Sequence, residues 1–214
     1  MTNILPADDE TALNKAVDLL KSGDVVVFPT DTIYGIGASI ANESGINKIF
    51  TVKSRSPDKP IILHLKTFEQ FQQIVREVPD SVIQSLRNIW PGAMSGVFFK
   101  KEIVPACVTA GKETVAVRIP KHKLCLELVK RVGHPIAVTS ANISSMKIQK
   151  TAREIAEQLG ERVPLVLDGG PNPSQEASTL VDFTGSTPQL LREGVLPFST
   201  LCQFIPNLAP IPDH

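Results

Sequence analysis

The chain of 214 residues is poor in cysteine, in aromatic residues and in net charge. Its three cysteines, Cys107, Cys125 and Cys202, form no CxxC pair, so neither a disulfide framework nor a cysteine-based metal site is expected. The 22 basic residues balance 22 acidic ones, which excludes a polybasic nucleic-acid binder at the level of the whole chain. Aromatic residues make up 5% of the sequence, so platforms for stacking RNA bases are scarce.

Several functional signatures are also missing. No apolar run approaches the roughly 18 residues of a membrane-spanning helix, and the acidic start MTNILPADDE lacks the pattern of a signal peptide. A cytoplasmic protein without a membrane partner is therefore expected. The histidines show no HxxxH or HExxH spacing, so we expect no resident metal. Neither a GxxxxGK[ST] P-loop nor a GxGxxG dinucleotide fingerprint occurs.

The apolar pattern that is present interleaves short buried strands with amphipathic helices. Strands are predicted at 25–28, 61–63, 96–99, 115–117, 136–138, 165–167, 179–181 and 190–191, and helices near 13–20, 46–50, 68–75, 81–89, 124–129 and 152–159. Because some strands follow one another with only a loop between them, the predicted fold class is α/β, with a twisted open mixed sheet and helices on its faces. We expect one domain over 1–200 and a proline-rich tail over 201–214 that runs extended along the surface.

Polar residues follow several predicted strands, and ligands of open α/β sheets bind at strand ends. The segment PTDTIYGIG at 29–37 supplies two threonine hydroxyls and two glycines, although a tight turn with a helix cap would have the same composition. The segment 138–145 places Thr139, Ser140 and Asn142 where they could cradle an anion, and a plain Ser/Thr or Asx turn is the alternative.

Two further patterns point to an anionic ligand. Lys53, Arg55 and Lys59 concentrate three cations in a proline-stiffened loop, which is typical of a polyanion clamp but also of a solvated face. Arg118 lies at the end of an apolar strand, where burying its charge without a partner would be very costly. It must therefore meet a ligand's carboxylate or phosphate, solvent, or a carboxylate of the protein in a structural ion pair.

Seven segments in the order PTDTIYGIG, KSRSPDKP, WPG, VRIP, TSAN, STLVD and LREG resemble the YrdC/TsaC family of threonylcarbamoyl-adenylate synthases. The resemblance runs from Pro29 to Gly194, nearly the whole chain, and is closest to the short, single-domain form. It implies a YrdC-like twisted sheet around a large, positively charged central concavity. It also implies a nucleotidyltransferase that converts ATP, L-threonine and bicarbonate into L-threonylcarbamoyl-AMP and pyrophosphate, with Mg²⁺ accompanying ATP.

The same resemblance implies partners and site residues. The product would pass to a tRNA threonylcarbamoyl transferase complex for N6-modification of an adenosine, and weak tRNA binding is compatible with the concavity. The implied catalytic set is Lys53, Arg55, Lys59, Ser140 and Asn142. ATP binding would use that set together with Thr114, Ile148 and Arg192. L-Threonine binding would use Thr32, His64, Arg118, Val138 and Ser178, with the carboxylate on Arg118 and the hydroxyl on either Thr32 or His64.

One departure from the family pattern and two alternatives bear on this interpretation. Ser144-Ser145 stands where relatives often carry Ser-Gly, which weakens the assignment of Ile148 most. The alternatives are an RNA-binding module that uses the concavity for backbone phosphates and a paralogue with the same fold that takes another nucleotide substrate. Binding to an RNA backbone should weaken steeply as the salt concentration rises, whereas threonine binding should not.

Overall fold

The computed structural model describes residues 2–174 and 176–212. Its strands are β1 Asn3–Pro6, β2 Val26–Phe28, β3 Gly35–Ser39, β4 Ile62–His64, β5 Met94–Phe99, β6 Thr114–Arg118, β7 Ile136–Ser140, β8 Leu165–Asp168, β9 Thr179–Asp182 and β10 Gln189–Arg192. Its α-helices are α1 Glu10–Lys21, α2 Glu43–Lys53, α3 Phe68–Ile74, α4 Asp80–Ile89, α5 Ala106–Thr109, α6 Lys123–Val132, α7 Ala152–Leu159 and α8 Phe198–Leu201. A 3₁₀ turn, Gly160–Arg162, follows α7.

All ten strands join one sheet in the order β1-β8-β2-β3-β7-β4-β6-β5-β9-β10. The pairs β1/β8, β2/β8, β4/β6 and β5/β9 are parallel, and the others are antiparallel. The predicted mixed sheet is therefore confirmed. Its register brings polar residues together, because His64 of β4 lies opposite Arg118 of β6 and Gly35 of β3 lies opposite Ser140 of β7.

Hydrophobic cores cover both faces of the sheet. Helix α1 shows why the chain folds this way: the Asp9 side chain accepts from the Thr11 amide at its start, and apolar residues at helical spacing face the sheet. Leu20 on that face is fully buried. Burial of one such side chain contributes about 1.5–3 kcal/mol, so the two cores hold the strands that carry the polar residues in fixed positions.

The predicted strands and helices are present, but β1 and β3 were missed. Strand β3 lies inside PTDTIYGIG, where the glycines suggested a turn. A Cβ at Gly37 would lie 2.8 Å from Phe28 Cε1 and 2.8 Å from Ile136 Cγ2. The glycine is therefore needed for close packing of side chains from the neighbouring strands β2 and β7, and not for a turn.

The expectation of an extended surface tail is wrong for its first part. Helix α8 begins at Phe198, and the side chains of Leu201, Ile205 and Leu208 are buried in the core. The Leu190 amide also donates to the Ala209 carbonyl at 2.9 Å. Burial of these three apolar side chains holds this part of the tail in the core in spite of Pro206, while residues 213 and 214 lie outside the described residues. The boundary at residue 200 stays a prediction. No helix in the described ranges is long and apolar enough to cross a membrane.

Candidate active site

A cavity of about 700 Å³ lies over the sheet and is lined by residues of β3, β4, β5, β6, β7, β9 and β10 and by loop residues. Part of its floor is apolar: Ile62 lies opposite Val138, and Val97 lies between Ala116 and Asp182. Ten of the thirteen predicted site residues, all within the described ranges, line this cavity: Thr32, Arg55, Lys59, His64, Thr114, Arg118, Val138, Ser140, Ser178 and Arg192.

One side of the cavity, called here the inner end, is formed by Thr32, His64, Arg118 and Ser178, which are all buried. The side chain of Arg118 is only 3% exposed. Its Nε donates to the Gly92 carbonyl at 2.8 Å, and its Nη1 donates to Thr32 Oγ1 at 3.4 Å. Its Nη2 lies 2.5 Å from a carboxylate oxygen of Asp31. The guanidinium is therefore held on three sides while it borders the cavity.

His64 is the titratable neighbour of Arg118 at the inner end. Burial lowers the pKa of His64 to about 3, and the charge of Arg118 acts in the same direction against the opposing effect of Asp31. The imidazole is therefore neutral at neutral pH and offers one N–H donor and one acceptor. Its Nδ1 is buried without a hydrogen-bond partner. A buried polar atom of this kind, in a residue that lines a cavity, is suited to a ligand.

Hydroxyl groups complete the inner end. The Thr30 hydroxyl donates to the Ile33 carbonyl at 2.7 Å and lies 3.1 Å from the Thr32 hydroxyl. On the other side, Ser178 Oγ lies 2.9 Å from Ser95 Oγ. Ser178 and Thr32 thus enter the cavity with orientations fixed by partners behind them, which suits recognition of a small polar molecule.

A second set of lining residues, called here the outer end, consists of Arg55, Lys59, Lys112, Thr114 and Arg192. Two of its cations are tethered: Arg55 Nη2 donates to the Pro60 carbonyl at 2.9 Å, and Arg192 Nη2 donates to the Ser178 carbonyl at 2.8 Å. Among the described residues that line the cavity, five are basic and two are acidic, the basic ones being Arg55, Lys59, Lys112, Arg118 and Arg192 and the acidic ones Asp58 and Asp182. This excess favours an anionic ligand.

Lys53 and Asn142 do not line the cavity but support it from behind. The Lys53 ammonium contacts the Ser140 carbonyl, the Asn142 carbonyl at 2.5 Å and Asn142 Oδ1 at 3.4 Å. The residue is 1% exposed, and burial, with a further effect of Arg55, lowers its pKa to about 7. An ammonium has three N–H donors, so these three oxygens match all of them. Lys53 thereby fixes the turn that presents Ser140 to the cavity.

The remaining predicted residue, Ile148, is partly buried and does not line the cavity. Sequence reasoning also missed Lys112 and Asp182, which do line it. Asp182 closes the quoted STLVD motif, so a signal existed, whereas Lys112 follows a glycine turn with no motif. Within the described residues, no group of three or more histidines, cysteines or carboxylates is placed to hold a metal ion.

The fold and the cavity define a mixed α/β protein that presents a buried polar pocket beside a cluster of cations. A sequence model of the Sua5/YciO/YrdC family, described as telomere recombination, matches residues 18–194. The chain therefore belongs to the Sua5/YciO/YrdC family, and the resemblance read from the motifs is confirmed.

Relatives carry a consistent name. The chain is 36% identical over 199 residues to the threonylcarbamoyl-AMP synthase of Pyrococcus abyssi. These aligned residues make up 93% of this chain and 58% of that protein. It is 34% identical over 184 residues to the threonylcarbamoyl-AMP synthase of Vibrio vulnificus, with 85% and 98% covered. The crystal structure of P. abyssi Sua5 complexed with L-threonine superposes with a TM-score of 0.93 at 34% identity, covering 98% of this chain and 62% of that one. The chain thus spans about three fifths of the archaeal proteins.

Proposed function

We propose that this protein is a nucleotidyltransferase that forms L-threonylcarbamoyl-AMP and pyrophosphate from ATP, L-threonine and bicarbonate. The observation that carries the proposal is one cavity with a buried inner end, suited to a small amino acid, and a cationic outer end, suited to a triphosphate. The names of the relatives and the L-threonine complex of P. abyssi Sua5 support it. The product would serve N6-threonylcarbamoylation of adenosine in tRNA, through a transferase complex.

The inner end supplies groups that complement each part of L-threonine. The guanidinium of Arg118 would take the carboxylate, since a planar fork matches a carboxylate in geometry and charge. Neutral His64, with its unpartnered Nδ1, and the Thr32 hydroxyl both remain candidates for the threonine hydroxyl. Ser178 and the backbone of Val138 would complete the pocket around the amine and the side chain.

The outer end would hold ATP as its magnesium complex. Arg55, Lys59 and Arg192 would neutralise the triphosphate, and Thr114 would add a hydroxyl. Ser140 would contribute from the turn that Lys53 and Asn142 hold in place. In this arrangement Lys53 supports the nucleotide site through the turn, because its three donors are already matched by oxygens of the protein.

The chemistry requires positioning and charge neutralisation more than a protein nucleophile. The threonine amine attacks the carbon of bicarbonate, and water leaves to give a carbamate. A carbamate oxygen then attacks the α-phosphorus of ATP, and the bond to the bridging oxygen breaks to release pyrophosphate. Because two anions must approach each other, the cations of the outer end and the Mg²⁺ of the substrate would lower the barrier.

Pyrophosphate release tests the proposal. The purified protein is incubated with ATP and Mg²⁺, with and without L-threonine and bicarbonate, and L-serine serves as the control amino acid. Release that requires both L-threonine and bicarbonate, together with the adenylate identified by mass spectrometry, is the expected result. A folded protein that releases no pyrophosphate under any combination would overturn the proposal.

A further inference from the structure

We propose that Asp31 is a positioning residue for substrate binding, which acts by fixing the guanidinium of Arg118 in the orientation that receives the amino-acid carboxylate. The inference rests on the proposed function and deepens it. Asp31 does not line the cavity, so it would act through Arg118 and not by touching substrate.

The contacts of Asp31 join two segments of the inner end. One carboxylate oxygen lies 2.5 Å from Arg118 Nη2, and the other accepts the Lys121 backbone N–H at 3.0 Å. Arg118 is the last residue of β6, and Lys121 lies three positions further along the chain. The carboxylate is therefore anchored by the loop that follows the strand, and its side chain is 13% exposed. The hydrogen bond from the Lys121 N–H thus holds the carboxylate at a fixed position beside the guanidinium.

Because Arg118 is buried, loss of its ion pair with Asp31 would have a large effect. Removal of one partner of a buried ion pair leaves an uncompensated charge, which is strongly unfavourable. Among the residues that the structure describes, Asp31 is the one carboxylate in an ion pair with Arg118. The other two contacts of the guanidinium, with the Gly92 carbonyl and the Thr32 hydroxyl, are to neutral oxygens. Of the five guanidinium N–H groups, the one on Nε and one on Nη1 are directed at these oxygens, whereas Nη2 is in an ion pair with Asp31 and has no hydrogen-bond partner.

The residue that follows Asp31 in the sequence also contacts the guanidinium. The adjacent residue Thr32 accepts from Arg118 Nη1, so positions 31 and 32 both set the plane of the fork from one short segment. A guanidinium without its charged partner would be held only by its hydrogen bonds to the Gly92 carbonyl and the Thr32 hydroxyl. The carboxylate of the substrate would then bind to a less well-oriented guanidinium. The affinity for the amino acid would fall, whereas the rate of the chemical step at saturation would change less.

The test separates a positioning role from a purely structural one. The variant Asp31→Asn keeps the size and an acceptor for the Lys121 N–H but removes the charge. We expect its KM for L-threonine to rise about 10- to 100-fold, while kcat at saturating L-threonine and the KM for ATP stay near wild type. Calorimetric titration with L-threonine should show the same loss. Asp31→Glu, which restores the charge one methylene further out, should recover part of it.

Asp24→Asn is the matched control, because Asp24 pairs with Lys48 at 2.6 Å in a partly exposed ion pair and does not line the cavity. It should leave both KM values unchanged. A lowered melting temperature of Asp31→Asn with an unchanged KM for L-threonine would overturn the proposal. If Asp31→Asn does not fold, Asp31→Glu decides: wild-type constants overturn the inference, and a selective rise in the KM for L-threonine supports it. Failure of the wild type to release pyrophosphate would instead refute the proposed function.

Discussion

The two ends of the cavity are built in different ways. Thr32, His64, Arg118 and Ser178 of the inner end are each at most 5% exposed. At the outer end, Lys59 and Lys112 are exposed. A buried polar group needs a hydrogen-bond partner, because leaving it unpaired destabilises the protein by more than one hydrogen bond stabilises it. An exposed cation is screened by water and salt and can move. The inner end is therefore suited to recognise shape, and the outer end to neutralise charge.

The difference is clearest between the members of each set that lie on central strands and those that lie in loops. His64 and Arg118 lie opposite each other on the parallel strands β4 and β6, between the two hydrophobic cores. Arg55 and Lys59 lie in the loop between α2 and β4, and Lys112 precedes β6. The position of a side chain on a strand is fixed by the strand register and by packing against the core. The position of a loop side chain depends on a few local hydrogen bonds. Substitutions should thus have larger and more selective effects at the inner end.

The largest effect is expected from Arg118→Ala. It removes the fork for the threonine carboxylate and leaves Asp31 buried without its partner, so the KM for L-threonine should rise more than about 100-fold and stability should fall by about 3–5 kcal/mol. Steady-state kinetics and urea denaturation measure the two effects. The double variant Arg118→Ala/Asp31→Ala should regain stability but not affinity. Recovery of the threonine KM in the double variant would contradict the role given to Arg118.

A second effect is expected behind the cavity wall, at Lys53→Met. Methionine preserves much of the length but donates no hydrogen bonds, so the Ser140 and Asn142 carbonyls lose their shared partner. We expect kcat to fall about 10- to 100-fold because the turn no longer presents Ser140 correctly. Single-turnover kinetics at saturating substrates would measure it. A variant that loses only ATP affinity, with kcat intact, would show that the ammonium contacts the phosphates directly.

The outer end should respond more weakly to Lys59→Ala and Lys112→Ala. Each removes one exposed cation from the cavity wall, so the KM for ATP should rise about 3- to 10-fold at low salt. The increase should shrink as KCl is raised from about 20 to 300 mM, since the wild-type advantage is screened. The KM for L-threonine should not change. Kinetics at several salt concentrations would measure this, and a salt-independent effect would indicate a fixed hydrogen bond instead.

Most of the sheet could be predicted from the sequence, for a physical reason. Buried strands consist of continuous apolar runs, so the sequence shows the strands at 61–63, 115–117 and 136–138. Polar residues just after such runs are also easy to recognise. Strand β3 was not recognised, because Gly37 packs against Phe28 and Ile136 and Gly35 packs against Val138, and no local pattern records such contacts between strands.

The support behind the site was also hard to predict. Lys53 was predicted to bind the ATP phosphates from the family resemblance and from its place in a basic segment. It is the last residue of α2, and nothing local shows that its ammonium turns inward to the carbonyls of Ser140 and Asn142. Asp31 lay inside a quoted motif, but its pairing with Arg118 spans 87 positions of sequence. Such contacts depend on strand order, which the motifs alone do not give. The roles assigned to the site residues stay predictions until the variants are measured.

The effect that is smallest at neutral pH, and that grows on acidification, sharpens the contrast because His64 belongs to the inner end. Its pKa is about 3 in the folded protein and about 6.5 when exposed. Between these values the unfolded chain binds a proton that the folded protein does not, so stability rises with pH across this window and is lost on acidification. His64→Gln keeps a neutral polar side chain and should lack this dependence. Urea denaturation of both proteins at pH 4 to 7 measures the difference, and parallel curves would mean that His64 is not held neutral. Over pH 7 to 8 the two proteins should keep a constant difference in stability, because His64 is then neutral in both states.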